Sequence, residues 1–190
     1  KPRSFARQIA YTLVMLGVMI VAFMVYTLAE KAIDAANEAR LRAFMLADEL
    51  HQSSDDLTRM ARLYVVGGHA EARRHYQRIL DIRDGLHPRP TGYSGIYWDL
   101  VLVNGQAPRA DSTQRIPLIE LMRQAGFPAN ELDILIQAKA HSDRLTQIER
   151  DAMAASDDRG PDAQASQARA RLMLHDTNYL VAKAAILAPI

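Results

Sequence analysis

The chain has 190 residues, enough for one domain and an appendage, and its 23 Lys and Arg nearly balance 22 Asp and Glu at a formal net charge of +1. That balance, with no clustered basic patch, argues against a nucleic-acid binder and provides no large field for acidic partners. The absence of cysteine excludes disulfides, thiolate metal sites, a cysteine nucleophile and c-type haem attachment, while abundant Ala, Leu, Arg and Met favour helix over strand.

From Ile9 to Ala29 the sequence reads IAYTLVMLGVMIVAFMVYTLA, 21 residues without a charge. At about 1.5 Å per residue this run is roughly 31 Å long as a helix, enough to cross a hydrocarbon core of about 30 Å. It lacks the polar stripe of a buried soluble helix, and Tyr11 and Tyr26 sit near its ends, where amphipathic rings favour the interface. Lys1, Arg3 and Arg7 precede it and no acid appears before Glu30, so the positive-inside bias places residues 1–8 in the cytoplasm. Residues 9–29 then form a transmembrane helix, and residues 30–190 lie outside, in the periplasm where the organism has one. A cleaved signal peptide is the competing reading; the run is longer than a typical signal core and its C-terminal flank continues as helix.

Glu30 to Val66 contains neither Pro nor Gly. Ala36, Ala43, Leu50, Leu57 and Tyr64 recur every seven residues, with Leu46, Ser53 and Met60 as a second series between them. This seam predicts one long helix leaving the membrane, and Ala36, Ala39 and Ala43 leave room for a partner helix. Gly67-Gly68 ends it. A second helix is expected over Ala70–Arg83, followed by an irregular loop punctuated by Gly85, Pro88, Pro90, Gly92 and Gly95. That loop carries the aromatic stretch Tyr93–Val103, with the single tryptophan, Trp98. Further helices are expected over Pro117–Gln124, Ala129–Ala155 and Asp162 to the end, the last with a break near Asp176. The fold class is thus all-α: a transmembrane helix continuing into an antiparallel helical bundle with an aromatic-rich loop. Lys1 at the start, and no charge after Lys183, lead us to expect a longer chain with a second membrane crossing beyond Ile190.

The stretches SSDDLTRMARLYV, ILDIRDG, PRPTGYSGIYWDLV, AGFPANELDILIQAKAHSDRLTQIERDAM and YLVAKAAILAPI occur in that order. Together they resemble the extracytoplasmic input region of bacterial transmembrane signal transducers: methyl-accepting chemotaxis receptors, sensor histidine kinases and nucleotide cyclases. The resemblance covers most of Leu50 to Ile190 and departs from the pattern in a shorter loop after Met153. It implies a helical sensor between two membrane helices, working as a homodimer; it supplies neither a ligand nor an output module.

No enzyme constellation is present in the sequence. The six histidines, at 51, 69, 75, 87, 141 and 175, form no H-E-x-x-H pair, and there is no P-loop, G-x-G-x-x-G or G-x-S-x-G. Asp55 and Asp56 are adjacent and diverge by about 100° on a helix, which suits a surface or bundle-polar role rather than paired-acid catalysis. No catalytic residue, cofactor or metal is expected. Ser53, Ser54, Arg59, Arg62 and Tyr64 make one polar zone, and Ser142, Asp143, Arg144 and Glu149 another. Antiparallel packing of their helices would bring the two zones face to face. Polar groups inside a bundle must be paired or must hold a ligand. They therefore read either as an internal ion-pair layer or as a site in which Arg59 or Arg62 grips a carboxylate or phosphate. Tyr97, Trp98 and Asp99 read either as a hydrophobic plug or as an aromatic pocket wall holding a cation over Trp98.

The expected function is the sensory input module of a membrane receptor that binds a small molecule or a periplasmic binding protein, with the lipid bilayer and a second copy as its other partners. A membrane-anchored scaffold or adaptor without a small ligand is the alternative.

Overall fold

The computed structural model describes residues 2–93 and 95–188. Lys1, Ser94, Pro189 and Ile190 lie outside the described residues, as do the side chains of residues 2–7, 10 and 187. The flank charges of Lys1, Arg3 and Arg7, and the end of the C-terminal apolar run, are therefore not part of the structural description. Among the described residues the fold is all-α, with helices α1 (Pro2–Val65), α2 (Ala70–Arg83), α3 (Tyr97–Asn104), α4 (Leu118–Gln124), α5 (Ala129–Ser156), α6 (Ala163–Met173) and α7 (Thr177–Leu187). The only strand-like pairing among them is an isolated bridge between Pro90 and Asp111.

The chain divides into two compact units, Lys1–Arg42 and Ala43–Ile190, and α1 contributes to each. In the first unit the large apolar side chains face outward: Met19 is 69% and Phe23 67% exposed. The polar exceptions fold back on the helix, Thr12 donating to the Gln8 carbonyl and Thr27 to that of Met24, each at 3.0 Å. With an apolar window of mean hydropathy 2.3, α1 is long and apolar enough to cross a membrane.

In the second unit the seven-residue seam turns inward. Leu50, Leu57 and Met60 are at most 1% exposed in the chain's own core, whereas the upstream seam residue Ala36 is exposed. Gly68, at φ +71, ends α1 in the left-handed conformation that favours glycine. Its N–H reaches the Tyr64 carbonyl at 3.1 Å and that of His69 reaches Leu63 at 3.2 Å, so two of the last carbonyls of α1 keep backbone donors. Pro117 and Pro128 hold the N-cap positions of α4 and α5, where a missing N–H costs nothing. The expected break in the last helix falls at Leu174–Asp176, where the Asp176 carboxylate accepts from the Tyr179 N–H at 2.7 Å and starts α7.

The aromatic stretch requires a correction. Tyr97 to Asn104 is helix α3, not irregular loop. Tyr97 and Trp98 are 4% and 3% exposed, their rings meet edge to face at 5.2 Å, and the indole N–H of Trp98 donates to the Tyr93 hydroxyl at 2.7 Å. Burial of these two rings in the main core draws the segment into a helix that its glycine-flanked sequence does not announce.

The sense of packing also differs from expectation for one pair. Thr58 meets Glu149, and six residues further along α1 Tyr64 meets Asp157, so this part of α1 and α5 run in the same direction. Helix α2 runs against α5, with Tyr76 at Glu149 and Arg83 at Ser142. Helix α7 runs against α1, with Tyr179 at Thr58 and Lys183 at Ser54. Leu57 lies in the largest apolar cluster, so Leu57→Ala should lower the unfolding free energy by about 2–5 kcal/mol. Val103→Ala, at an 83% exposed position, should change it by under about 0.5 kcal/mol; urea titration checks both.

Candidate functional site

A buried carboxylate sits where helices α1, α2, α5 and α7 converge. Glu149 is 1% exposed. Its Oε1 accepts from the Tyr179 hydroxyl at 2.7 Å and from Thr58 Oγ1 at 3.1 Å, and its Oε2 accepts from the Tyr76 hydroxyl at 3.0 Å. Lys183 Nζ donates to Thr58 Oγ1 and Ser54 Oγ, each at 3.1 Å, and pairs with Asp55 at 2.7 Å. Burial raises the Glu149 carboxyl above its ordinary range, while the hydroxyls of Tyr179, Tyr76 and Thr58 and the charge of Lys183 act in the opposite direction.

Thr58 and Tyr179 also line an open groove of about 670 Å³ on α1 and α7. That volume lies within the range typical of small-molecule sites. Arg59, Arg62 and Lys183 bring positive charge to it, Asp55 brings negative charge, and Leu63, Val66 and Leu180 supply apolar wall. The arginines differ in their partners. Arg59 is paired with two carboxylates, those of Asp56 and Asp99. Arg62 donates to the Leu174 carbonyl at 2.9 Å and lies over the Tyr179 ring at 5.4 Å, and among the described residues no carboxylate pairs with it.

The residues singled out from sequence thus separate. Arg59 and Arg62 line the groove, and Asp99 reaches the first of them as an ion-pair partner. Tyr64 instead donates to Asp157, with Arg73 over its ring at 5.5 Å. Trp98 and Tyr97 are packed among core side chains, with the His75 ring beside Trp98 at 5.5 Å, and among the described residues no Lys or Arg lies over the indole. Ser142 and Asp143 do not face Arg59 and Arg62: both accept from Arg83, each at 2.8 Å. Arg83 is 1% exposed, and its guanidinium pairs at 2.8 Å with Asp143, which is partly open to solvent. The groove residues that the sequence reading passed over are Thr58, His175, Tyr179 and Lys183. Their one sequence signal was Lys183, the sole charge in α7.

A smaller cavity of about 100 Å³ is lined by Phe44, Glu49, Asp56 and Tyr93 among others, and its Glu49 is held by Arg89 at 2.7 Å. Among the described residues no group of three or more His, Asp or Glu could hold a metal ion. No protein-family model, curated protein or solved structure matches the chain.

Burial pushes Asp56 up from 3.8 to about 6, against the pull of the Arg59 guanidinium. A carboxyl whose folded pKa lies above its unfolded value binds more protons in the folded state. Its contribution therefore favours the fold at low pH and is lost as pH rises from about 4 to about 6. Glu49 and Glu149 are shifted in the same direction, mainly by burial, and add to the slope. At about 1.4 kcal/mol per unit, the Asp56 contribution is on the order of 3 kcal/mol. Thermal unfolding between pH 4 and 7 should show a shallower decline for Asp56→Asn than for the parent chain; an unchanged slope would contradict the assignment.

Proposed function

We propose that the chain is the sensory input module of a bacterial transmembrane signal transducer, of the chemotaxis-receptor or two-component type. Residues 1–8 are cytoplasmic, residues 9–29 cross the inner membrane, and residues 30–190 form an up-and-down helical bundle in the periplasm. The observation that carries the reading is that one helix, α1, contains both the apolar span and the groove residues Thr58, Arg59 and Arg62. A ligand seated against α7 and α1 therefore acts on the same helix that enters the membrane. It transmits a signal only if it binds two packings with different affinity, and helix shifts of about 1–2 Å are the usual scale of such changes.

The working unit is a homodimer in which exposed Ala36 and Ala39 and half-buried Ala43 allow α1 to approach its counterpart. The chain has no cysteine, so any introduced thiol is unique in it. Oxidation of Ala36→Cys and Ala43→Cys chains in membranes should give disulfide-linked dimers. A Val103→Cys chain should react with a membrane-impermeant maleimide in intact spheroplasts. No crosslink at either alanine position would remove the dimer. Protection of Val103→Cys until the cells are lysed would place residues 30–190 in the cytoplasm, and a membrane-tethered scaffold would then be the better description.

A further inference from the structure

We infer that the groove on α1 and α7 takes a small monocarboxylate with an apolar body, its carboxylate seated on Arg62; this names the ligand class for the sensory reading above and rests on it. Charge accounting leads to Arg62. Of the groove's cations, Arg59 is answered by Asp56 and Asp99, and Lys183 by Asp55. Arg62 makes one hydrogen bond, to the Leu174 carbonyl, although a guanidinium carries five N–H donors. Its position over the Tyr179 ring at 5.4 Å holds the planar fork in place, which lowers the entropy lost when an anion binds. A half-buried guanidinium that faces no acid among the described residues, beside a guanidinium and an ammonium that are both paired, is a place for an anion from outside the chain.

The rest of the lining decides which anion. Leu63, Val66 and Leu180 line the groove, and Val66 and Leu180 are 52% and 56% exposed, an apolar surface for a branched or aromatic body. A second carboxylate would find no second unanswered cation and would meet Asp55. The Nδ1 of His175 is already engaged, 2.8 Å from the Arg171 carbonyl. One positive charge against an apolar wall matches one negative charge on an apolar body.

The test uses the full chain in lipid nanodiscs and titration calorimetry with phenylacetate, isovalerate, succinate, inorganic phosphate and phenethylamine. Phenylacetate and isovalerate should bind, succinate and phosphate at least tenfold more weakly, and the amine not at all. Arg62→Ala should weaken phenylacetate at least tenfold, with Arg62→Lys intermediate. Leu180→Glu, at an exposed position that does not burden folding, should weaken it by a similar factor with an unchanged melting temperature, and it decides the matter if Arg62→Ala fails to fold. The proposal is overturned if neither monocarboxylate binds, if phosphate binds as tightly, or if both the Arg62→Ala and Leu180→Glu chains keep full affinity. The crosslinking rate of Ala36→Cys chains separates this proposal from the sensory reading. Arg62-dependent binding that leaves the rate unchanged upholds the ligand class and removes the sensor. A rate that responds to the amine and to no acid does the reverse.

Discussion

The polar interior of the second unit is organised around one requirement: a carboxylate buried among helices must be given hydrogen-bond donors. Glu149 meets it with three hydroxyls, from Thr58, Tyr76 and Tyr179, each on a different helix. Apolar contacts between helices supply most of the stabilisation and are non-directional, so a helix that rotates or slides a little still buries its face. A hydroxyl that must lie about 2.7–3.1 Å from one oxygen has no such latitude. The core therefore gains from Glu149 a fixed relation among α1, α2, α5 and α7 that leucines and alanines alone do not impose. Two other ion pairs with one buried partner each lie along the same helices, Arg83 with Asp143 and Asp56 with Arg59.

The groove is the outward counterpart of this centre. Tyr179 gives its hydroxyl to Glu149 and its ring to Arg62, and Thr58 accepts from Lys183 while serving the same carboxylate. Groove and core thus share side chains rather than merely adjoining. Arg62 and Arg83 show how position divides one residue type into two roles. Arg83 is sealed in and answered by Ser142 and Asp143; Arg62 stands at an opening, with a backbone carbonyl and an aromatic face as its recorded partners.

Several helix limits were legible because glycine and proline mark them through backbone geometry that needs no tertiary context: Gly67-Gly68 after α1 and Pro128 before α5. Helix α3 was not legible. Its residues are aromatic and β-branched, its approach is rich in glycine and proline, and the burial of Tyr97 and Trp98 that favours the helix comes from elsewhere in the chain. The direction of α5 relative to α1 was hidden for a related reason. Three intervening helices and the long connection between α2 and α4 set it, and periodicity within a helix carries no information about its neighbour's sense. For the site, the polar character of the Ser53–Tyr64 stretch was visible, but pairing was not. Arg83 closes α2 just before a turn, where an arginine ordinarily complements the helix dipole, and nothing local tells that Ser142 and Asp143 wait opposite. That Arg59 takes a second acid depends on Asp99, forty residues away, and the spacing within α1 does not announce it.

The arrangement around Glu149 bears on how such a chain can drift over evolutionary time. Thr58, Tyr76 and Tyr179 each serve the same acceptor, so their effects on stability are not independent: loss of one hydroxyl alters what the other two must satisfy. A tyrosine-to-phenylalanine exchange that is harmful while Glu149 is present becomes nearly neutral once an apolar side chain of similar size replaces the acid, because the unmet acceptor has gone with it. The four positions therefore form an epistatic block. Descendants should keep it whole or abandon it together, while the apolar positions around it exchange one by one.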